Sequence, residues 1–376
     1  MAKQETASSG AGISRRSLLR WGASSAIMLP FVGALSACGD DSSAAPAATG
    51  AASKAAKKAK EIVYVGYGGS PQEATTAVVL DTFTAKTGIP VTGTTGASDI
   101  AKFRAMVEAG KTTWDTVEVT TPIFSQLVKE GLIDKMDYSV VPREGYQDPR
   151  FVNDFAVPQY YYSHCIFWNT ERIPGGMSTW ADVWNVKKFP GKRAFQKKAY
   201  YLFEAALLAD GVAPADLYPM DVDRALRKIE EIKDHLIFQD LNTIQNLVAQ
   251  GDVVTGDLGL TRVQTLIKDK VPLKYTWDEN IVDAVRWVIP KGSPNPEGTA
   301  ELIKHTVDPQ IQLDLLEKTG FTPSTSAALS KLPASERADL PGTEETLPTS
   351  AALNMEWYAE HGQEAQKALD EWLLKL

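Results

Sequence analysis

From residue 61 onward, short runs of β-branched and aromatic residues alternate with longer stretches whose apolar positions recur every three to four residues. Ile62-Val63-Tyr64-Val65 reads as a buried strand. It leads into Tyr67-Gly68-Gly69-Ser70-Pro71-Gln72-Glu73, where Ser70, Pro71 and Glu73 spell a capping box, predicting a helix that buries Ala77, Val78 and Phe83 and closes at Thr87-Gly88. Pro90-Val91-Thr92 is the next strand, a helix over 101–108 ends at Gly110, and 114–119 is a third strand. Thr120-Thr121-Pro122 then opens a helix over 122–130. The aromatic run 156–169 is longer than an average strand and is expected to cross from one lobe to another. Beyond residue 178 a second α/β unit runs to about Pro290. It includes an amphipathic helix over 221–234, a strand over 250–258 followed by Thr261-Arg262, and an apolar strand over 284–290. Helices dominate from Pro296 onward.

Such alternation predicts open α/β sheets, in which ligands settle beyond the carboxyl ends of the strands. The Gly68-Gly69 turn stands at one such end, where it either exposes backbone N–H groups to a ligand or simply makes a tight turn. Thr120 stands at another, as a ligand contact or as a helix cap.

The amino-terminal pattern adds a location. Arg15-Arg16 precede Ser17-Leu18-Leu19, a short apolar segment runs to Phe31-Val32, and Leu35-Ser36-Ala37-Cys38 ends it. This order resembles a twin-arginine export signal closing in a bacterial lipobox, so residues 1–37 are expected to be cleaved and Cys38 lipidated. The apolar segment is too short and too interrupted to span a bilayer, which needs roughly 20 apolar residues. Residues 38–60, rich in Ala, Ser, Lys and Asp, read as a flexible tether. The protein is then expected outside the cytoplasm, in the periplasm or on the outer face of the cytoplasmic membrane.

Removing 1–37 takes away four of 39 basic and one of 47 acidic residues, leaving a net charge of −11. That surface repels phosphate backbones and argues against nucleic-acid partners. With Cys38 lipidated, Cys165 stands alone and no intrachain disulfide is expected. Four widely spaced histidines show no metal-ligand spacing, and no nucleophile elbow, Walker loop or complete dinucleotide fingerprint occurs. No cofactor or metal is expected, and the chain reads as a binder rather than an enzyme.

Several stretches together resemble the bacterial extracellular solute-binding proteins of the spermidine/putrescine type, which deliver solutes to ABC importers. They are Thr87-Gly88-Ile89-Pro90-Val91, Trp114-Asp115, Val128 to Ile133, Thr179 to Trp184 with Phe189-Pro190-Gly191, Ile289 to Gly292, and Thr319 to Pro323. The resemblance covers 61–376. It implies a two-lobed periplasmic-binding-protein-like α/β fold with hinge-crossing strands and a cleft between lobes, acting as a monomer with permease and ATPase partners. The first lobe would hold 61–164 and 291–376, and the hinge and second lobe 165–290.

The family's polyamine site uses carboxylates, but the resemblance puts Lys198, Tyr201 and Val285 at three of those positions, with Asp283 two residues from the third. Arg262 falls where relatives that bind carboxylates have an arginine, whose guanidinium grips a carboxylate by two parallel hydrogen bonds. The expected ligand is a small carboxylate or amino-acid-like zwitterion held by Lys198 and Arg262. Tyr67, Tyr201 or Trp287 would cover its remainder, Asp283 would receive an amine, and Gln72 and Thr120 would stand on the rim. Three alternatives stand beside this reading: a true spermidine/putrescine binder, an exported hydrolase or lyase, and a lipoprotein that signals its closed state to a sensor.

Overall fold

The computed structural model describes residues 61–97 and 99–376; the export signal, Cys38 and the tether lie outside that range. Strand β1 (Ile62–Gly66) is followed by α1 (Gly69–Thr75), which runs through a π-helical turn, Thr76–Leu80, into α2 (Asp81–Thr87). The capping box is not formed. Gly68 occupies the cap position, and the Gln72 side chain accepts its N–H at 2.7 Å. Gly88 closes α2 in the left-handed conformation, φ 74°, as its position after Thr87 requires.

Next come β2 (Val91–Thr95), α3 (Ile100–Glu108), β3 (Thr116–Val119) and α4 (Thr121–Lys129). The long strand β4 (Pro158–Asn169) leads to α5 (Trp180–Trp184), β5 (Lys192–Phe195), α6 (Ala199–Ala209) and α7 (Val222–Glu230). Then follow β6 (Leu236–Phe238), α8 (Leu241–Gln250), β7 (Val253–Gly256), α9 (Leu260–Lys268) and β8 (Leu273–Val288). The remainder is α10 (Pro296–Thr306), α11 (Pro309–Thr319), β9 (Thr322–Pro323), α12 (Ser326–Leu329), α13 (Ala334–Arg337), β10 (Ala351–Ala352) and α14 (Met355–Leu373).

The strands form two sheets. The larger has the order β2-β1-β3-β8-β4-β9, with β10 on β8; the smaller is β6-β5-β7, parallel throughout. In each parallel set the chain order reverses at the central strand, β1 in one and β5 in the other. That is where a crevice opens at the strands' carboxyl ends. Tyr67 follows β1, Thr120 follows β3, Lys198 follows β5 and Asp257 follows β7. These four segments stand at the carboxyl ends of parallel strands, where open α/β sheets hold their ligands.

Strands β4 and β8 join the two sheets. They pair antiparallel from Pro158–Arg286 to Asn169–Leu273, with an irregularity between His164 and Ile166. At that point His164 bridges Gly259 of the segment after β7, so β4 spans both layers. The apolar strand expected over 284–290 begins earlier, at Leu273, with a half-exposed first half in which Leu273, Tyr275 and Trp277 alternate with Lys274, Thr276 and Asp278. Next to His164, Cys165 is fully buried, and burial pushes its thiol up to about 12.

Helix α6 is buried on nearly every face, as an apolar helix with neighbours all round must be. Helix α14 lies between the lobes' helices: Ser125 of α4 donates to the Met355 carbonyl at 2.7 Å, while Tyr358 bonds Glu204 of α6. Among the described residues no helix is long and apolar enough to cross a membrane.

Candidate functional site

Asp283, fully buried on β8, is the node at which the lobes meet. Its carboxylate accepts hydrogen bonds from the Thr121 backbone and hydroxyl, from Tyr162 at 2.8 Å and from Tyr201 at 3.1 Å, and its Oδ1 also accepts the Ala284 N–H. Thr121 relays a second charge: its hydroxyl accepts from Arg286 Nη1 at 3.0 Å. Arg286 is itself fully buried, with its guanidinium 5.1 Å from the ring centres of both Phe124 and Phe151. A buried carboxylate is stable only with donors and a compensating cation, and Asp283 has both.

Tyr201 reaches Asp283 from the start of α6. Its backbone stands at φ 68° and ψ −41°, close to the strained γ-turn geometry, and its ring stacks on His164 with centroids 3.7 Å apart. His164 Nδ1 bonds Asp257, whose other oxygen accepts from Gln196 Nε2 at 3.0 Å. Burial pushes the Asp257 carboxyl up, but His164, Gln196 and Lys198 together outweigh it and hold it below the usual range.

On the first-lobe side, Tyr67 is 43% exposed. Its hydroxyl meets Thr120, and desolvation with nearby Glu118 and Asp283 raises its pKa. Glu118 accepts from Tyr64 at 2.8 Å and from Tyr160, and burial raises its carboxyl despite those bonds. Tyr200, adjoining Tyr201, is electrostatically coupled to Tyr67, Asp283 and Asp257. The turn after β1 and the start of α6 therefore face one space.

Lys198 and Arg262 line one cavity of about 520 Å³, with Gln196, Lys197, Gln239, Asp240, Leu241 and Asn242. Three cations share it with one carboxylate, and Asp240 is committed to capping α8 through the Asn242 and Thr243 backbone and the Thr243 hydroxyl. Arg262 Nη1 donates to the amide oxygens of Asn242, at 3.1 Å, and Gln245, and burial lowers its pKa. The Lys198 residue is exposed, but its ammonium lies 5.2 Å from the centre of the Tyr200 ring, and desolvation lowers its pKa while Asp257 opposes the shift. Among the described residues neither cation forms an ion pair. An anion entering this cavity meets the Lys198 and Arg262 charges, which no ion pair among the described residues engages.

The other expected residues sit as follows. Gln72 Nε2 donates to the Thr94 carbonyl at 3.0 Å, so its amide joins the Gly68 turn to β2. Thr120 stands at the cap position of α4 without capping it by its side chain. Trp287 is 2% exposed and packs on Tyr64 with ring centroids 4.6 Å apart, beneath the cleft in the first-lobe core. His164, Asp257, Gln196, Tyr162 and Tyr200 were not singled out from sequence. The aromatic run containing Tyr162 and His164 was the available signal; the pairing of His164 with Asp257, 93 residues away, has none.

Residues 79–341 match the family described as bacterial extracellular solute-binding protein. A γ-aminobutyric acid-binding protein of Pseudomonas aeruginosa is 29% identical over 319 residues, 83% of this chain and 91% of the relative. A solved GABA receptor structure is 33% identical, covering 83% of this chain and 97% of that one with a TM-score of 0.77. An ABC transporter substrate-binding protein from Bradyrhizobium japonicum USDA 110 is 29% identical, covering 84% and 99% with a TM-score of 0.79.

Proposed function

The chain belongs to the bacterial extracellular solute-binding proteins, non-enzymatic substrate-binding components of ABC importers, and from that premise we propose that it captures a small carboxylate-bearing, amino-acid-like solute. The observation that supports this reading is the pair Lys198 and Arg262, two cations in one cavity without ion-pair partners among the described residues. The solute carboxylate lies between them, and the Tyr67, Tyr200 and Tyr201 rings enclose its remainder. γ-Aminobutyrate, the compound for which two of the similar proteins are named, has this chemistry.

The polyamine alternative needs open carboxylates. Asp283, Asp257 and Glu118 already accept hydrogen bonds from protein donors on both oxygens. Closure of the lobes about the solute, on the hinge strands β4 and β8, presents the loaded form to permease and ATPase subunits.

The site of action is outside the cytoplasm, as for the family. The finer reading includes twin-arginine export, lipidation at Cys38, a tether over 38–60 and a monomeric carrier. Its lobes are 61–164 with 291–376, and 165–290. Mass spectrometry of the membrane-extracted protein tests the anchor: a diacylglyceryl Cys38 supports it, and an intact amino terminus overturns it.

Thermal melting against γ-aminobutyrate, other amino acids, simple carboxylates, putrescine and spermidine tests the ligand class. A solute at about 100 times its Kd stabilises the fold by roughly 2.7 kcal/mol. A shift with carboxylates that is lost in Arg262→Ala supports the proposal; a shift with polyamines alone sinks it.

A further inference from the structure

Lys198 stands before the entry to α6, where Tyr200 and Tyr201 are non-helical and a side chain from elsewhere must accept the Ala199 N–H. Lysine has no acceptor and cannot do this, and its side chain makes no capping bond. The missing acceptor comes from α14. Gln366 Oε1 accepts the Ala199 N–H at 2.9 Å, and Gln366 Nε2 donates to the Lys197 carbonyl at 3.2 Å. The same nitrogen donates to Asp370 at 2.9 Å, and an ionised carboxylate only accepts, so the orientation of the amide is fixed. One side-chain amide thus grips the backbone on both sides of Lys198, immediately before the non-helical pair Tyr200 and Tyr201.

We infer that Gln366 is a positioning residue of the solute cleft. Its amide accepts the Ala199 N–H that Lys198 cannot, fixes the backbone at 197–199, and leaves the Lys198 ammonium free to face the solute. Helix α14 is in turn held on α4 through the Met355 carbonyl and Lys129, so the grip is anchored in the opposite lobe. This inference rests on Lys198 as an anion-binding group.

The test uses Gln366→Met, which keeps length and loses both bonds, and Gln366→Glu, which keeps an acceptor for Ala199 but cannot donate to Lys197. In the ligand-free protein, nuclear magnetic resonance of 13C-labelled lysine follows the Lys198 titration. Its lowered pKa should rise toward that of a free lysine in Gln366→Met, and rise also in Gln366→Glu, where the added carboxylate contributes. Affinity for γ-aminobutyrate should weaken about tenfold in Gln366→Met, the scale of lost hydrogen bonds to a positioning group. In a Lys198→Ala background Gln366→Met should cost nothing further, which a purely structural role would not produce. An unchanged Lys198 titration in both variants, or a loss of affinity that simply adds to that of Lys198→Ala, overturns the inference. If γ-aminobutyrate does not bind the wild type, the functional reading fails and the lysine titration alone decides the role of Gln366. If Gln366→Met does not fold, Gln366→Glu carries both measurements.

Discussion

His164 and Tyr201 lie face to face, ring centroids 3.7 Å apart and planes within 17°. One belongs to a hinge strand and the other to the first turn of the second-lobe helix, so the stack ties the floor of the cleft to its wall. The Tyr201 hydroxyl continues the tie to Asp283 at 3.1 Å and Tyr162 at 2.5 Å. Tyr201→Phe keeps the stack and removes the hydroxyl, and should lower stability by about 1–3 kcal/mol because buried partners lose a bond. A urea midpoint that falls at constant m-value is the expected result; an unchanged midpoint would show the hydroxyl to be idle.

Asp283→Asn is expected to act on the fold before it acts on the ligand. Arg286 would keep its buried charge without the carboxylate that balances it through Thr121, a loss of roughly 3–5 kcal/mol in comparable buried pairs. Calorimetry of the ligand-free protein decides this. A variant that melts like the wild type would return Asp283 to the role of a free amine receptor.

Salt should separate the cation pair from the rest of the site. Lys198 and Arg262 open to solvent through one cavity, where ions shorten the reach of charge to about 3 Å at 1 M. Raising salt should weaken carboxylate binding several-fold in the wild type and hardly at all in a Lys198→Gln, Arg262→Gln double variant. Equal salt sensitivity in both proteins would place the anion elsewhere.

Glu204 gives a pH dependence with a definite sign. Burial raises its carboxyl above the ordinary value, outweighing bonds from Tyr218 and Tyr358 that favour ionisation, and its second oxygen is buried without a partner. The folded state therefore holds this proton more tightly than the unfolded state. The resulting stability is complete below the ordinary glutamate range near 4.3 and declines as pH climbs to the raised folded value. Glu204→Gln should remove that decline, so the variant gains on the wild type in thermal melts as pH rises above the ordinary glutamate range. Parallel pH profiles would mean that Glu204 is ionised in the fold.

What was legible in the chain depended on how far each interaction reaches. Gly88, closing α2, and Asp221, capping α7 through the Arg224 N–H, act on neighbours within four residues, so pattern alone locates those ends. The first half of β8 carried a legible signal, Leu273, Tyr275 and Trp277 alternating with Lys274, Thr276 and Asp278 as in a half-buried strand, and was passed over because only the apolar run after it was read as strand. Ser70 and Glu73 show the opposite failure: a cap motif is present, but Gln72 takes the Gly68 N–H first. In the site, Lys198 and Arg262 were readable as charges at special places, and the fold brings them to one cavity. Trp287 looked like a cleft aromatic, yet its register opposite Glu118 buries it beside Tyr64. The His164–Asp257 and Gln366–Ala199 contacts join residues 93 and 167 positions apart, and no local rule reports them.

The buried thiol of Cys165 gives the folded chain a chemical silence. Protonated up to about 12 and sealed within β4, it offers neither thiolate nor access to oxidants and disulfide-exchanging partners outside the cytoplasm. An alkylating reagent that modifies it must wait for the strand to open. Its rate of modification is therefore a clock for the rarest motions of the hinge, running inside the unmodified protein without an added probe.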